Sequence, residues 1–309
     1  MSEASTPDPA ATLLPAQALR GLRIGISVAD SDDLPRLGLT QDHFKLAVRE
    51  LARTVLVGGG TLAYGGHLRP GGFTEFLIRE LGQYASAKLF DAPGAKRQPP
   101  LLLCLAWQEH RKSSIAEIDA ADRDLGRHGR LHCLDLDGKL IKNPRADRVP
   151  EAIPAPEDRA VRARGLTAMR LYMNGIIAAR MILGGKRHGY TGAMPGIAEE
   201  ALIAIEAGQP LYLAGGFGGV TLDLAAAVDA RCADLCPRRP NDPAPDAGAL
   251  AAIERFHLLA AAGGWARLNN GLDAEQNLQL AATHRPAEIA SLIGLGLGRW
   301  AQSRPAAPA

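Results

Sequence analysis

PLYLAGGFGGVTLDLAAAV, residues 210–228, is the stretch on which the reading of the fold turns. It opens as an apolar run, packs four glycines into the five positions 215–219, and continues as an apolar, helix-favouring segment. A short apolar run closed by glycine reads as a buried strand, and the segment from Val220 onward reads as a helix. The unit is strand, tight turn, helix, with side chains excluded at the turn because something passes close to the backbone there.

The same unit recurs along the chain. RIGISVAD (23–30) reads as a first strand, and QDHFKLAVRELARTVLV (41–57) as an amphipathic helix stopped by Gly58, Gly59 and Gly60. TLAYGG (61–66) comes next as a strand, FTEFLIRELGQYA as a helix and LLLCLAW (101–107) as a buried strand. A charged helix near 113–125, the strand RLHCLDLDG and a helix near 159–178 lead to the strand ARMILGG (179–185) and the helix PGIAEEALIAIEAG. Such alternation predicts an α/β chain with a Rossmann-like three-layer fold and a mostly parallel sheet.

Helices near 249–262, 273–283 and 286–299 are expected to form a C-terminal helical appendage, since three short helices bury little core alone. The expected boundaries are a disordered tail over 1–20, a ligand-binding domain over 21–235, a proline-rich linker over 236–248, the appendage over 249–300 and a second disordered tail over 301–309. NPRADRVPEAIPAPED (143–158), with four prolines, is expected as a loop inside the domain.

Composition narrows the function classes. The 309 residues are 47% apolar, enough for a sizeable core, and 35 basic against 33 acidic residues leave a charge of +2. That balance offers no footprint for nucleic acid or a membrane surface. No apolar run reaches the roughly 18 residues of a membrane span. The start lacks a basic region leading into an apolar one, so a cytoplasmic protein is expected. Four cysteines, with Cys104 and Cys133 inside apolar runs, fit reduced thiols. Cys232 and Cys236 have no histidine near them in sequence, so no metal is expected, and no cofactor is expected either.

Three of the strands end in glycine pairs, in LAYGGHLRPGGFTE, ILGGKRHGYTGAMPGIAEE and LYLAGGFGGVT. In an open parallel sheet the carboxyl ends of the strands form the ligand crevice, and bare backbone N–H groups there receive a negative charge. The expected ligand contacts are Gly65, Gly66, Arg69 and Gly72 on the first turn, Lys186, Arg187 and Tyr190 on the second, and Gly215, Gly216, Phe217, Gly218 and Gly219 on the third. Ser27 and Asp30 join them from the first strand, with Ser31 and Asp32 beyond it. Arginine grips phosphate or carboxylate with parallel hydrogen bonds, and Tyr64 or Tyr190 offers a stacking face. His67 and His188 supply groups that titrate near neutrality. Met169, Met173 and Ile177, at helical spacing, read as core or a dimer face.

Were the protein an enzyme, a carboxylate near an anomeric carbon would stabilise an oxocarbenium-like state or act as nucleophile. Glu75 and Glu199 lead the candidates, with Glu200 and Asp223 behind them. Glu75, Glu199 and Glu200 equally suit the first turn of a helix, where a carboxylate meets the dipole. The P-loop, the G-x-G-x-x-G turn and the G-x-S-x-G elbow are all missing, which argues against ordinary ATPases, NAD dehydrogenases and α/β hydrolases.

Together GGFGGV, the upstream GGKxxGYxGxMPGIxEEA and the early LAYGGxLRPGGFTE resemble the SMF/DprA and LOG (SLOG) superfamily of Rossmann-like nucleotide-binding domains, most closely its cluster-two members, over about residues 20–232. The resemblance implies a soluble sensor of a nucleotide-derived or NAD-derived molecule, of the kind often joined to bacterial immune effectors; here the effector is expected as a separate protein. Pairing into a homodimer is a further expectation. LOG members instead cleave the N-glycosidic bond of nucleoside monophosphates, through PGGxGTxxE. This chain has Ala214 at the proline, Gly219 at the threonine and Thr221 at or near the glutamate. Glu199 or Glu200 falls where those enzymes carry an arginine. The resemblance thus carries over the phosphate cradle better than the hydrolysis, which, with a related transferase activity, stays as the alternative.

Overall fold

The computed structural model describes residues 14–68, 71–86, 99–147, 151–154, 156–237 and 242–304. Six strands, β1 (Arg23–Ala29), β2 (Thr61–Gly66), β3 (Leu101–Leu105), β4 (Gly129–Cys133), β5 (Ala179–Gly184) and β6 (Leu211–Ala214), form one sheet in the order β4-β3-β2-β1-β5-β6. Every pairing is parallel. The chain lays β2, β3 and β4 outward on one side of β1 and then returns to set β5 and β6 on the other. The order reverses between β1 and β5, and loops leaving adjacent strands in opposite directions open a crevice there.

Helices cover both faces, as buried parallel sheets require. In order they are α1 (Gln41–Val57), α2 (Phe73–Ser86), α3 (Trp107–His110), α4 (Ile115–Leu125), α5 (Pro144–Asp147), α6 (Arg159–Ile176), α7 (Gly196–Glu206), α8 (Gly219–Val228), α9 (Ala247–Ala260), α10 (Ala274–Ala282) and α11 (Pro286–Ser303). Alternation along the strands sorts the core. Ile24, Ile26, Leu62, Leu101, Leu103 and Met181 face α1, α2 and α11, whereas Ala63, Leu102 and Cys104 lie under Met169 and Met173 of α6. Ile182, Leu211 and Leu213 pack beneath α7, α8 and α9.

The C-terminal helices are present and share these cores. Ile289, Ile293 and Leu297 of α11 join Phe44, Leu51 and Val55 of α1, and Phe256 of α9 is fully buried with α7 and α8. Residues 14–20, expected as the end of a disordered tail, hold defined turns instead. Leu19 is fully buried, and its N–H donates to Gly58 O at 2.7 Å. Buried apolar surface at Leu19 gives this segment the anchor that a disordered tail lacks. At the other end α11 runs to Ser303, past the expected boundary at 300. Within the expected loop 143–158 lies the short helix α5. Among the described residues no helix is long and apolar enough to cross a membrane.

Candidate functional site

The glycine run before α8 is filled from within the molecule. Residues 215–219 are buried between β6 and α8. A Cβ on Gly216 would lie 1.9 Å from Thr283 O, and one on Gly215 would lie 2.7 Å from Ala281 O, so the close neighbour is the backbone at the end of α10. Gly218 and Gly219 have φ of +71° and +68°, and their Cβ positions are taken by Asp33 and by Gly185 O. Asp33 supplies the anion for the start of α8. Gly219 N–H donates to Asp33 Oδ2 at 2.7 Å, and Arg187 Nη1 donates to the same oxygen at 2.7 Å. Arg36 pairs with the other oxygen at 2.8 Å. Arg187 also donates to both oxygens of Asp223, at 2.7 and 2.9 Å. Burial works against its charge, but the hydrogen bonds and charges of Asp223 and Asp33 hold it protonated beyond the ordinary arginine range.

The open space lies next door, at the reversal point. A cavity of about 380 Å³ is bounded by the ends of β1, β2 and β5 and by α6 and the start of α7. Ser27, Val28, Ala29 and Asp30 come from β1 and the residue after it, Tyr64, Gly65, Gly66 and His67 from β2 and its turn, and Lys186, Gly189, Tyr190, Thr191 and Gly192 from the loop between β5 and α7. That loop is fastened from outside. Tyr190 donates its hydroxyl to Asp246, whose other contact caps the first turn of α9 through Ala249 N–H at 3.0 Å. Burial, then the Asp246 hydrogen bond, pushes the Tyr190 phenol up to about 12, so it remains a donor.

The floor of the cavity is a buried ion cluster. Arg170 of α6 donates to Glu199 of α7, which also accepts from the Thr167 hydroxyl. Arg180, fully buried in β5, lies 3.4 Å from Glu200 Oε2 and donates to Ser27 Oγ at 2.8 Å. Arg170 Nε lies 3.9 Å from Glu200 Oε1, which links the two pairs. Two arginines against two glutamates make the cluster close to neutral, a requirement for charges this deep. Burial still depresses the Arg180 pKa, against the pull of Glu200. Tyr64 is driven the other way, its phenol held neutral by burial and then by the Glu200 and Asp30 carboxylates. Gly196 is explained by the same cluster, because a Cβ there would lie 2.5 Å from Arg170 Nη2.

Of the expected ligand contacts, Ser27, Asp30, Gly65, Gly66, Lys186 and Tyr190 come together on this cavity. Gly215, Gly216, Phe217, Gly218, Gly219 and Arg187 stand outside its wall, committed to packing and to the Asp33 and Asp223 pairs. Gly72 and Glu75 also stand outside it; Glu75 is exposed and accepts from Gly71 N–H at 2.7 Å. Glu199 is taken by Arg170 and Thr167, while its neighbour Glu200 reaches the cavity. Arg69 lies outside the described residues. Sequence reasoning missed Arg170 and Glu109, both on the wall. Arg170 sits beside Met169 in a helix whose apolar stripe reads as core, and the one available signal was a charge at the edge of that stripe.

An open, all-parallel α/β sheet with a charged cavity at its reversal point is a Rossmann-like layout. The family model for SLOG cluster2 matches residues 18–280, and the chain belongs to that family. The match runs past the 236–248 stretch and through α9 into α10, so most of the C-terminal helical region falls within it. No curated protein matches the sequence.

Proposed function

We propose that the protein is a sensor that binds a nucleotide-derived or NAD-derived small molecule in the cavity at the ends of β1, β2 and β5. The observation that carries this reading is the lining, which sets apolar and aromatic surface from Tyr64, Phe73, Leu166 and Ile197 beside Asp30, Lys186, Arg170 and Glu200. A base needs the first kind of wall, and a ribose with its phosphate needs the second. Membership of a SLOG family supports the same class of ligand. In this reading the protein works in the cytoplasm and passes the occupied state to a separate effector. Native mass spectrometry of freshly purified protein tests it. A copurifying or added nucleotide that raises the mass stoichiometrically is the expected result, and no binding across a panel of nucleotides and NAD derivatives removes the proposal.

One observation favours a second reading, N-glycoside hydrolysis. Glu200 is a carboxylate on the cavity wall that lies beside two arginines, a placement from which it would face a positively charged sugar carbon. Chromatography of nucleotide incubations separates the readings. Free base that disappears in Glu200→Gln supports the enzyme, and intact nucleotide leaves the sensor.

A further inference from the structure

A second cavity, of about 680 Å³, opens at the carboxyl ends of β3 and β4, on the edge of the sheet away from β5. The one-turn helix α3 lines both cavities, with Glu109 on the first and Trp107, His110 and Arg111 on the second. Its walls follow from the local structure. Leu134 N–H donates to Leu105 O at 3.1 Å, and Leu134 pairs with Leu140 in an antiparallel bridge, so the chain turns back on itself just past β4. Asp135 Oδ1 accepts from Asp137 N–H at 2.9 Å and from Lys139 N–H at 2.8 Å, which spends one oxygen of that carboxylate on its own turn. Buried His110 donates from Nε2 to Leu134 O at 2.8 Å, and Ile153 N–H donates to Arg111 O at 2.8 Å. The backbone that carries Arg111 is thus held from two sides.

The cations of this wall differ from Arg170 and Arg187, which are committed to carboxylates. The Arg111 guanidinium lies over the Trp107 ring, 4.2 Å from its centroid, and makes no ion pair among the described residues. Stacking restrains the plane of a guanidinium and leaves its N–H donors unspent. Lys139 and Lys142 are exposed on the same cavity and likewise have no carboxylate partner among the described residues. Against these three cations the wall sets Asp135 and Asp147. In sequence the excess is local, because KLIKNPRADR (139–148) holds four basic residues and one acidic in a chain whose overall charge is only +2. An oriented guanidinium with free donors, two unpaired ammonium groups and an aromatic ring around a space of ligand size make a receptor for a small oxyanion.

We propose that the cavity at the ends of β3 and β4 is a second ligand site, which takes a small phosphorylated molecule. Arg111 holds the phosphate, Lys139 and Lys142 meet it from the rim, and Trp107 packs against the part of the molecule that carries it. This site does not rest on the binding reading above, and each can fail alone.

Titration calorimetry of the full chain with pyrophosphate and with the four ribonucleoside 5′-monophosphates tests it. At least one of these is expected to bind, and Arg111→Gln is expected to weaken it about tenfold or more, the loss that charge-assisted hydrogen bonds imply. Lys139→Gln combined with Lys142→Gln, at two exposed positions, is expected to cost about threefold or more with the melting temperature unchanged, and it decides the matter should Arg111→Gln fail to fold. Lys186→Ala, on the other cavity, is expected to leave this binding within about twofold. Two binding events, one lost in Arg111→Gln and the other in Lys186→Ala, uphold both sites. Binding that depends on Arg111 and the two lysines but not on Lys186 upholds the second site alone. No binding of any probe, or binding indifferent to Arg111→Gln and to the double lysine change, overturns the proposal. If the binding that survives those changes is lost in Lys186→Ala, the anion belongs to the reversal-point cavity and the functional reading stands without this one.

Discussion

The turns after β5 and β6 are both glycine-rich and both lead to the start of a helix, yet one borders a cavity and the other is solid. After β6 the glycines make room for the backbone of residues 281–283 and for Asp33. After β5, Gly196 makes room for Arg170, and the loop stands back far enough to leave about 380 Å³ open. Glycine therefore reports a close neighbour without saying whether that neighbour is a ligand or the rest of the chain. The source of the negative charge separates the two cases, since α8 takes a carboxylate from the distant Asp33 and α7 carries Glu199 in its own first turn.

The comparison breaks most readily at the filled turn. Arg187→Met strips buried Asp33 and half-buried Asp223 of their shared cation, and a loss of about 3 kcal/mol in denaturant unfolding is expected, the low end for a broken buried pair. Gly216→Ala forces a methyl against Thr283 O, a backbone atom that cannot swing aside. About 3 kcal/mol of destabilisation is expected, read as a lowered melting temperature.

Acid sharpens the contrast further. Hydrogen bonds from Arg231, then from Trp265, hold the Asp229 carboxyl at about 2 against an ordinary 3.8. A carboxyl depressed in the folded state stabilises at pH above about 4, and that contribution is lost as the pH falls from about 4 towards 2. Asp229→Asn should therefore flatten the acid limb of the stability curve, measured by urea unfolding between those values. The smallest effect on the fold belongs to the open turn. Lys186→Ala should change stability by less than about 0.5 kcal/mol, as exposed positions do, while weakening ligand binding measured by calorimetry.

The sheet was legible because its strands are short apolar runs, several of them ended by glycine, and all six appear where that pattern places them. The helices α3 and α5, four residues each, were not, because one turn has no period to detect. The lining of the candidate cavity was half legible. Ser27, Asp30, Gly65, Gly66, Lys186 and Tyr190 could be picked from strand ends alone, since topology brings such ends together. The occupant of the β6 turn was hidden because Asp33 stands 186 residues away from Gly219 and no local pattern joins them. Arg170 was hidden for a different reason. Its helix is read by its apolar stripe, and a charge beside that stripe resembles any solvated residue until the glutamates of α7 are set against it.

Asp33 bears on what the fold around α8 depends on. A helix start whose anion had to come from outside the chain would be left fragile whenever that anion was missing. With a side chain of its own permanently seated before α8, the scaffold is complete in the absence of any visitor. The turn before α8 is braced by the chain itself, whatever the neighbouring cavity holds.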